Sequence, residues 1–233
     1  MKYTEVLKRL KSMANPDALE GMARYGITAT KSYGVSAPKL RTLAKEIGKN
    51  HELALKLFGA GILDARLLAA LIDDPKLVTR SQMESWVKQL ENWGDCDCCC
   101  SVLFDKTPYA YDKAFQWSKR KAEVVKRAGF SLMAVLAVHD KKAPDEKLAQ
   151  FLPVIKRESI DERSLVKKAV NWALRQIGKR NQNLNRLAIK VGEQIRLIDS
   201  RSARWIASDA LRELKSEQVQ ARLKQKLALR RQQ

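Results

Sequence analysis

The densest run of reactive side chains in this sequence is Asp95-Cys96-Asp97-Cys98-Cys99-Cys100, with Trp93 just before it. Four thiols so close together cannot present four sulfurs tetrahedrally, because structural zinc sites pair ligands ~2–4 residues apart with a second pair elsewhere. His51 and His139 are the only histidines and are too isolated to complete such a site. The cluster cannot cross-brace a fold through disulfides either, since these need Cα atoms ~4.4–6.8 Å apart and suitable directions. Small, buried, reduced thiols are the better account, with no metal bound. No glycine-rich phosphate loop or dinucleotide fingerprint is present, so no nucleotide cofactor is expected. Trp93 and Asp97 stand one helical turn apart and share a face if the segment is helical. Asp95, two residues from Asp97, is expected to cap or brace the chain.

The second chemical signal is charge. The 233 residues carry 45 Lys and Arg against 26 Asp and Glu, a formal net charge of +19. Such an excess sets up a field of several kT over the surface and points to a polyanion. The basic residues are spread along the chain: Lys119-Arg120-Lys121, Lys126-Arg127, Lys167-Lys168, Arg175, Lys179-Arg180, and a tail with Arg222, Lys224, Lys226, Arg230 and Arg231. A membrane-surface protein more often concentrates them on one amphipathic helix. Distributed cations on successive helices suit a groove that follows a phosphate backbone, so nucleic acid is the expected partner and a membrane is not. The longest unbroken apolar run, Leu132 to Val138, is far short of the roughly 20 residues that cross a bilayer. The start, Met1-Lys2-Tyr3-Thr4-Glu5, lacks an apolar signal-peptide core, which predicts a cytoplasmic, reduced protein.

The elements that must position these groups read as helices. Only 10 Gly and 6 Pro occur in a chain rich in Ala, Leu, Lys, Arg and Glu, residues that lose little rotamer freedom in a helix. Tyr3, Val6, Leu7, Leu10 and Met13 mark a first amphipathic helix. Asn15-Pro16 starts a second, which Gly26 can end. Further helices are expected from Ser36-Ala37-Pro38, over 51–58 and 62–72, as one helix or a helix pair from Lys76 up to Asn92, and near 95–105, 108–119 and 122–138. A short one follows Pro144, and longer ones lie near 161–178, 182–199, 201–214 and 217–229. Basic-then-apolar strings recur at Arg66, Arg127, Lys168 and Arg204, at intervals of 61, 41 and 36 residues. The last two intervals fall near the ~40–47-residue period of HEAT and armadillo repeats, which stack helix pairs into a curved solenoid. The expected fold is all-α: one HEAT-like repeat domain over 1–233, with a basic carboxyl-terminal helix or tail from about residue 215.

Three strings together resemble a known family. Trp93-Gly94-Asp95-Cys96-Asp97, Val125-Lys126-Arg127-Ala128-Gly129-Phe130, and the long run from Val166 to Lys179 are similar to segments of the AlkD-like DNA alkylation repair glycosylases. Met22-Ala23-Arg24-Tyr25 fits the same family. At Asn92 the sequence departs from the best-known member, which has another tryptophan there. The resemblance implies an all-helical HEAT-like fold and a glycosylase for base excision repair. Its substrate would be purines alkylated on ring positions 3 and 7, such as 3-methyladenine and 7-methylguanine, in double-stranded DNA. It further implies that the lesion is held without a base-flipping pocket, unlike the usual glycosylase. Carried over residue by residue, the catalytic carboxylate is Asp97, with Trp93 and Trp172 as the aromatic partners. Arg127 and Tyr25 are the implied DNA contacts, joined by the basic residues Lys167, Lys168, Arg175, Lys179 and Arg180. Trp86, Trp117 and Trp205 read as packing.

The implied chemistry is self-consistent. Cleaving a purine from its sugar passes through oxocarbenium character, as glycoside hydrolysis does. A purine alkylated at position 3 or 7 already carries positive charge and leaves without a general acid. One ionised carboxylate at the sugar can stabilise the cation and orient water. Two indole faces favour the same charge by quadrupole attraction. Neither cofactor nor metal is required, and a DNA-wrapping solenoid can act as a monomer. The rival expectation is a non-catalytic HEAT-repeat protein that binds branched or gapped DNA.

Overall fold

The computed structural model describes residues 1–231, with side chains through residue 228; the end of the expected basic tail, including the side chains of Arg230 and Arg231, lies outside the described residues. Among the described residues there is no strand. The chain folds as two compact units, Met1–Tyr109 and Ala110–Gln233.

The first unit contains α1 (Tyr3–Ser12), α2 (Pro16–Arg24), α3 (Ala37–Ile47), α4 (His51–Phe58), α5 (Leu63–Ile72), α6 (Arg80–Val87), α7 (Trp93–Val102) and a short 3-10 turn over Phe104–Lys106. The helix or helix pair expected from Lys76 up to Asn92 is the single shorter α6, for local reasons. Asp74 Oδ1 accepts the Lys76 N–H in a turn at 3.0 Å, and Thr79 caps α6 by accepting the Gln82 N–H at 3.1 Å. Short polar side chains here offer the backbone an alternative to helix. α5 is the hub, packed on α3, α4 and α7. Phe58 and Trp86 stack in this core with ring centroids 3.8 Å apart.

The second unit contains α8 (Ala110–Trp117), α9 (Glu123–His139), α10 (Asp145–Ala149), α11 (Phe151–Glu158), α12 (Ser164–Gly178), α13 (Gln182–Arg196), α14 (Arg201–Leu214) and α15 (Glu217–Arg231). α12 begins three residues later than expected because Asp161 Oδ1 takes the Arg163 N–H in a turn at 3.1 Å. The helices form two layers: α9, α12 and α14 pack in sequence, and α11, α13 and α15 pack beside them. α9, which contains the longest apolar run, is buried on nearly every side from Val125 to Ala137, as expected of a helix apolar all round.

The repeat is visible in the hydrogen bonds that join successive helices. Arg127 donates to the Leu165 carbonyl, Lys156 to Gln194, Asn171 to Asp209, Arg175 to Glu213, Asn183 to Asp145 and Ser200 to Glu162, and every one of these pairs is 38 residues apart. The expected intervals of 41 and 36 bracket that spacing. Each repeat unit thus pairs its polar side chains with the equivalent turn of the next.

Gly129 sets how closely α8 and α9 approach. A Cβ there would lie 2.4 Å from the Ser118 amide nitrogen and 2.9 Å from its Cα, both backbone atoms that cannot swing aside. Gly129→Ala is expected to cost on the order of 3 kcal/mol in urea unfolding, the upper range for overpacking. Gly21, within α2, has nothing within 4 Å of such a Cβ. Gly21→Ala should instead stabilise the helix by roughly 0.5–1 kcal/mol, and a similar loss at both positions would remove the close-approach explanation.

Candidate active site

In the first unit the sequence-predicted residues Tyr25, Trp93 and Asp97 come together around the amino end of α7. Asn92 starts this helix: its Oδ1 accepts the Gly94 N–H at 2.8 Å and the Asp95 N–H at 3.2 Å. Asp95 returns the favour, accepting the N–H groups of Glu91 and Asn92 at 3.1 Å each. This is a reciprocal capping box, so Asp95 has the capping role the sequence suggested. The departure at Asn92 is thereby explained: a short amide caps where an indole cannot. Asp95 is fully buried. Burial pushes its carboxyl above the ordinary range, against the opposing pull of the two N–H donors and Arg66.

Trp93 and Asp97 follow on the same helix, one turn apart, and both are half-buried. The Trp93 indole Nε1 donates to the Tyr25 carbonyl at 2.8 Å. Tyr25 ends α2, and its side chain is exposed. The turn that offers its carbonyl depends on Gly26, whose φ of 73° is the left-handed conformation glycine adopts readily. Two more bonds sew the following loop to α7: Asn92 Nδ2 donates to the Thr28 carbonyl at 3.0 Å, and Glu91 Oε2 accepts the Thr30 N–H at 2.6 Å.

Sequence reading missed the residue beneath this arrangement. Arg66 of α5 is only 2% exposed. Its Nη1 donates to the Gln89 carbonyl and lies 3.6 Å from Asp95 Oδ2, and its Nη2 donates to Glu91. One buried guanidinium therefore holds both the cap of α7 and the acidic residue that grips the loop at Thr30. The loop is tied from another side by Asp64, which accepts from the Tyr33 N–H at 2.6 Å and the Val35 N–H at 2.7 Å.

The four cysteines on α7 are reduced and outside any disulfide; Cys96, Cys99 and Cys100 are buried. Burial pushes the Cys98 thiol up to about 12 and those of Cys99 and Cys100 well above the ordinary value. Neutral thiols of this kind pack as small apolar groups rather than as nucleophiles. Among the described residues no group of three or more His, Cys, Asp or Glu could hold a metal ion, and no helix is long and apolar enough to cross a membrane.

The remaining predicted residues lie in the second unit. Trp172 is half-buried on α12. Arg127 is 6% exposed, and its bond to the Leu165 carbonyl, at 2.8 Å, ties α9 to α12. Arg175 and Lys179 both bind Glu213, at 2.6 and 2.5 Å. Arg180 donates to the Ala137 and Asp140 carbonyls at the end of α9. Lys167 lies over the Trp205 ring, and Lys168 is exposed. Trp86 and Trp117 are buried as expected, at 4% and 0% exposed, but Trp205 corrects the packing expectation, being 41% exposed. Its place on α14 explains this: the buried stripe runs through Ala203, Ile206, Ala207 and Ala210, and residue 205 falls outside it.

The profile of a family described as "DNA alkylation repair enzyme" matches residues 6–214. An uncharacterized protein of Listeria innocua is 24% identical over 218 residues, covering 84% of this chain and 96% of that one. One of Listeria monocytogenes is 23% identical over 134 residues, covering 56% and 60%. Among solved structures, one described as "A new family of proteins related to the HEAT-like repeat DNA glycosylases with affinity for branched DNA structures" superposes with a TM-score of 0.77 at 20% identity, covering 91% of this chain and 95% of its own. A predicted DNA alkylation repair enzyme from Enterococcus faecalis superposes at 0.62 with 18% identity, covering 84% and 95%. At these identities the superpositions bear on the fold, which is that of HEAT-like repeats.

Proposed function

This chain belongs to the DNA alkylation repair enzyme family, and from that membership we propose that it is a DNA glycosylase. It hydrolyses the bond between deoxyribose and a cationic alkylated purine, of the 3-methyladenine and 7-methylguanine type, in duplex DNA. The observation that carries this reading is the amino end of α7. Two carboxylates stand two residues apart; Asp95 is consumed in the helix cap, and Asp97 shares the partly open face with Trp93.

In this reading Asp97 stabilises the sugar cation as the bond to the purine lengthens and orients the attacking water. The leaving base brings its own positive charge, so no proton donor is needed. Trp93, held by the Tyr25 carbonyl, presents a fixed indole edge and face rather than a mobile one, which is the preorganisation that such stabilisation requires. Trp172, in the second unit, is the second aromatic candidate that the family resemblance implies. Lys167, Lys168 and Tyr25 are assigned to the phosphates, with Arg127, Arg175, Lys179 and Arg180 shaping the helices that carry them. The protein acts as a monomer in base excision repair and uses no cofactor.

The test is release of 7-methylguanine and 3-methyladenine from methylated duplex DNA in the presence of a chelator. Release of free base is the expected result. A second reading is favoured by one observation, the superposed neighbour's affinity for branched DNA: binding without excision. Salt-sensitive duplex binding with no release of either base would replace the first reading by the second.

A further inference from the structure

We propose that Trp205 and Lys167 form a stacking platform for an unpaired nucleobase, a DNA contact separate from the excision chemistry. The proposal rests on the DNA-binding half of the function above and not on base release.

Trp205 is not left over from the core. The apolar side of α14 is filled by Ala203, Ile206, Ala207, Ala210 and Leu214, all fully buried. Trp205 stands on the opposite side with Arg201, Arg204, Ser208 and Arg212, every one of them exposed. Trp86 and Trp117 are almost wholly buried, and Trp93 and Trp172 half so; this indole alone is 41% exposed. A large aromatic ring on a charged helix face is a conspicuous departure from burial.

The charge around the ring selects its occupant. The Lys167 ammonium lies 5.3 Å from the ring centroid, and Lys168 beside it is exposed. The neighbouring acids already have partners. Glu162 accepts from Ser200 Oγ and the Ser202 N–H at 3.0 Å each, and Asp209 accepts from Asn171 at 2.7 Å. Asp199 pairs with Arg204 at 2.8 Å across open solvent, a contact of little strength. The patch therefore offers a π-face and cations, and its acids are already engaged. An unpaired nucleotide matches both: a base that stacks on the indole and a phosphate that meets an ammonium. A fully paired duplex hides its base faces and offers only the phosphate. The occupant is thus a nucleotide in a gap or at a junction.

The full chain and its Trp205→Ala and Trp205→Phe variants should be titrated against three labelled probes: a duplex with a short single-stranded gap, the same gapped duplex with abasic nucleotides in the gap, and the fully paired duplex. The unchanged protein is expected to bind the base-containing gap more tightly than the abasic one. Trp205→Ala should lose that preference, weakening the gapped complex roughly fivefold to a hundredfold, the range for losing one stacked base. Its affinity for the paired duplex should stay unchanged, and Trp205→Phe should retain most of the preference. Equal weakening on all three probes, or no weakening on any, overturns the proposal. So does a change of the variant's oligomeric state in sedimentation, which would make a second copy the occupant. Base release from methylated duplex, run on the same proteins, reports on the excision reading independently.

Discussion

On the proposed glycosylase reading, Asp97→Asn protein should release 7-methylguanine from methylated duplex DNA at least about a hundredfold more slowly than the unchanged protein and bind the duplex nearly as well. The size follows from the role. Removing one preorganised group that faces charge developing in a transition state costs about a hundred- to a thousandfold in rate. The amide keeps the size of the side chain and one acceptor oxygen, replaces the other with an NH2 donor and removes the negative charge, so unfolding curves of the variant must match those of the unchanged protein for the loss to be assigned to chemistry. Affinity is set mainly by phosphate contacts, which the change does not touch. Asp95→Asn is the informative companion. It disturbs a buried cap and lowers stability, but at temperatures where it stays folded it should retain measurable release. Undiminished release by Asp97→Asn would end the proposed chemistry, and loss confined to Asp95→Asn would move the carboxylate by two residues.

The second large effect is on stability. Arg66→Ala should cost about 3–5 kcal/mol, the usual penalty for stranding a buried charge by deleting its partner. The guanidinium is 2% exposed and serves Asp95, Glu91 and the Gln89 carbonyl at once. Its Nε is itself buried without a partner, so the wild-type arrangement already carries some desolvation cost. The pH dependence identifies the cause. Burial holds the Asp95 carboxyl above its unfolded value even with Arg66 present, and without Arg66 it rises further. A group raised in this way favours the folded state at low pH and loses that advantage as pH rises through the folded pKa. The deficit of Arg66→Ala should therefore narrow as pH falls through that pKa toward the unfolded value of about 3.9. Urea unfolding of both proteins across this range checks it. A deficit that does not change with pH would assign the loss to packing alone.

Much of the architecture was legible because helices announce themselves locally. The stripe through Tyr3, Val6, Leu7 and Leu10, the Asn15-Pro16 start and the Gly26 stop each required only a few neighbouring residues. The repeat spacing was visible for the same reason, since basic-then-apolar strings mark corresponding turns. What stayed hidden depends on distance or on backbone. No pattern marks Tyr25 as the acceptor for Trp93, because the accepting atom is a carbonyl that every residue has. Arg66 sits in an apolar string and looks like its basic edge; its acidic partners lie some 25 residues on. Trp205 could have been read correctly, since it falls off the stripe set by Ala203, Ile206 and Ala207, but the general preference of tryptophan for cores outweighed that local signal.

The two units also differ in how far along the chain their polar links reach. The ladder of the second unit closes loops of 38 residues, again and again. The links around α7 close loops of 61, 64 and 68 residues, from Thr30, Thr28 and Tyr25, the longest-range side-chain bonds of the first unit among the described residues. Lengthening a loop from 38 to 68 residues adds only about 0.5 kcal/mol of closure entropy, too little to matter for final stability. It matters for order of assembly, because distant contacts must wait for the chain between them. The helix that carries Trp93 and Asp97 can coil early, but the aim of its indole is completed only when most of the unit is in place. A chain arrested before that point would be helical and compact, and would lack the fixed indole on which the proposed excision relies.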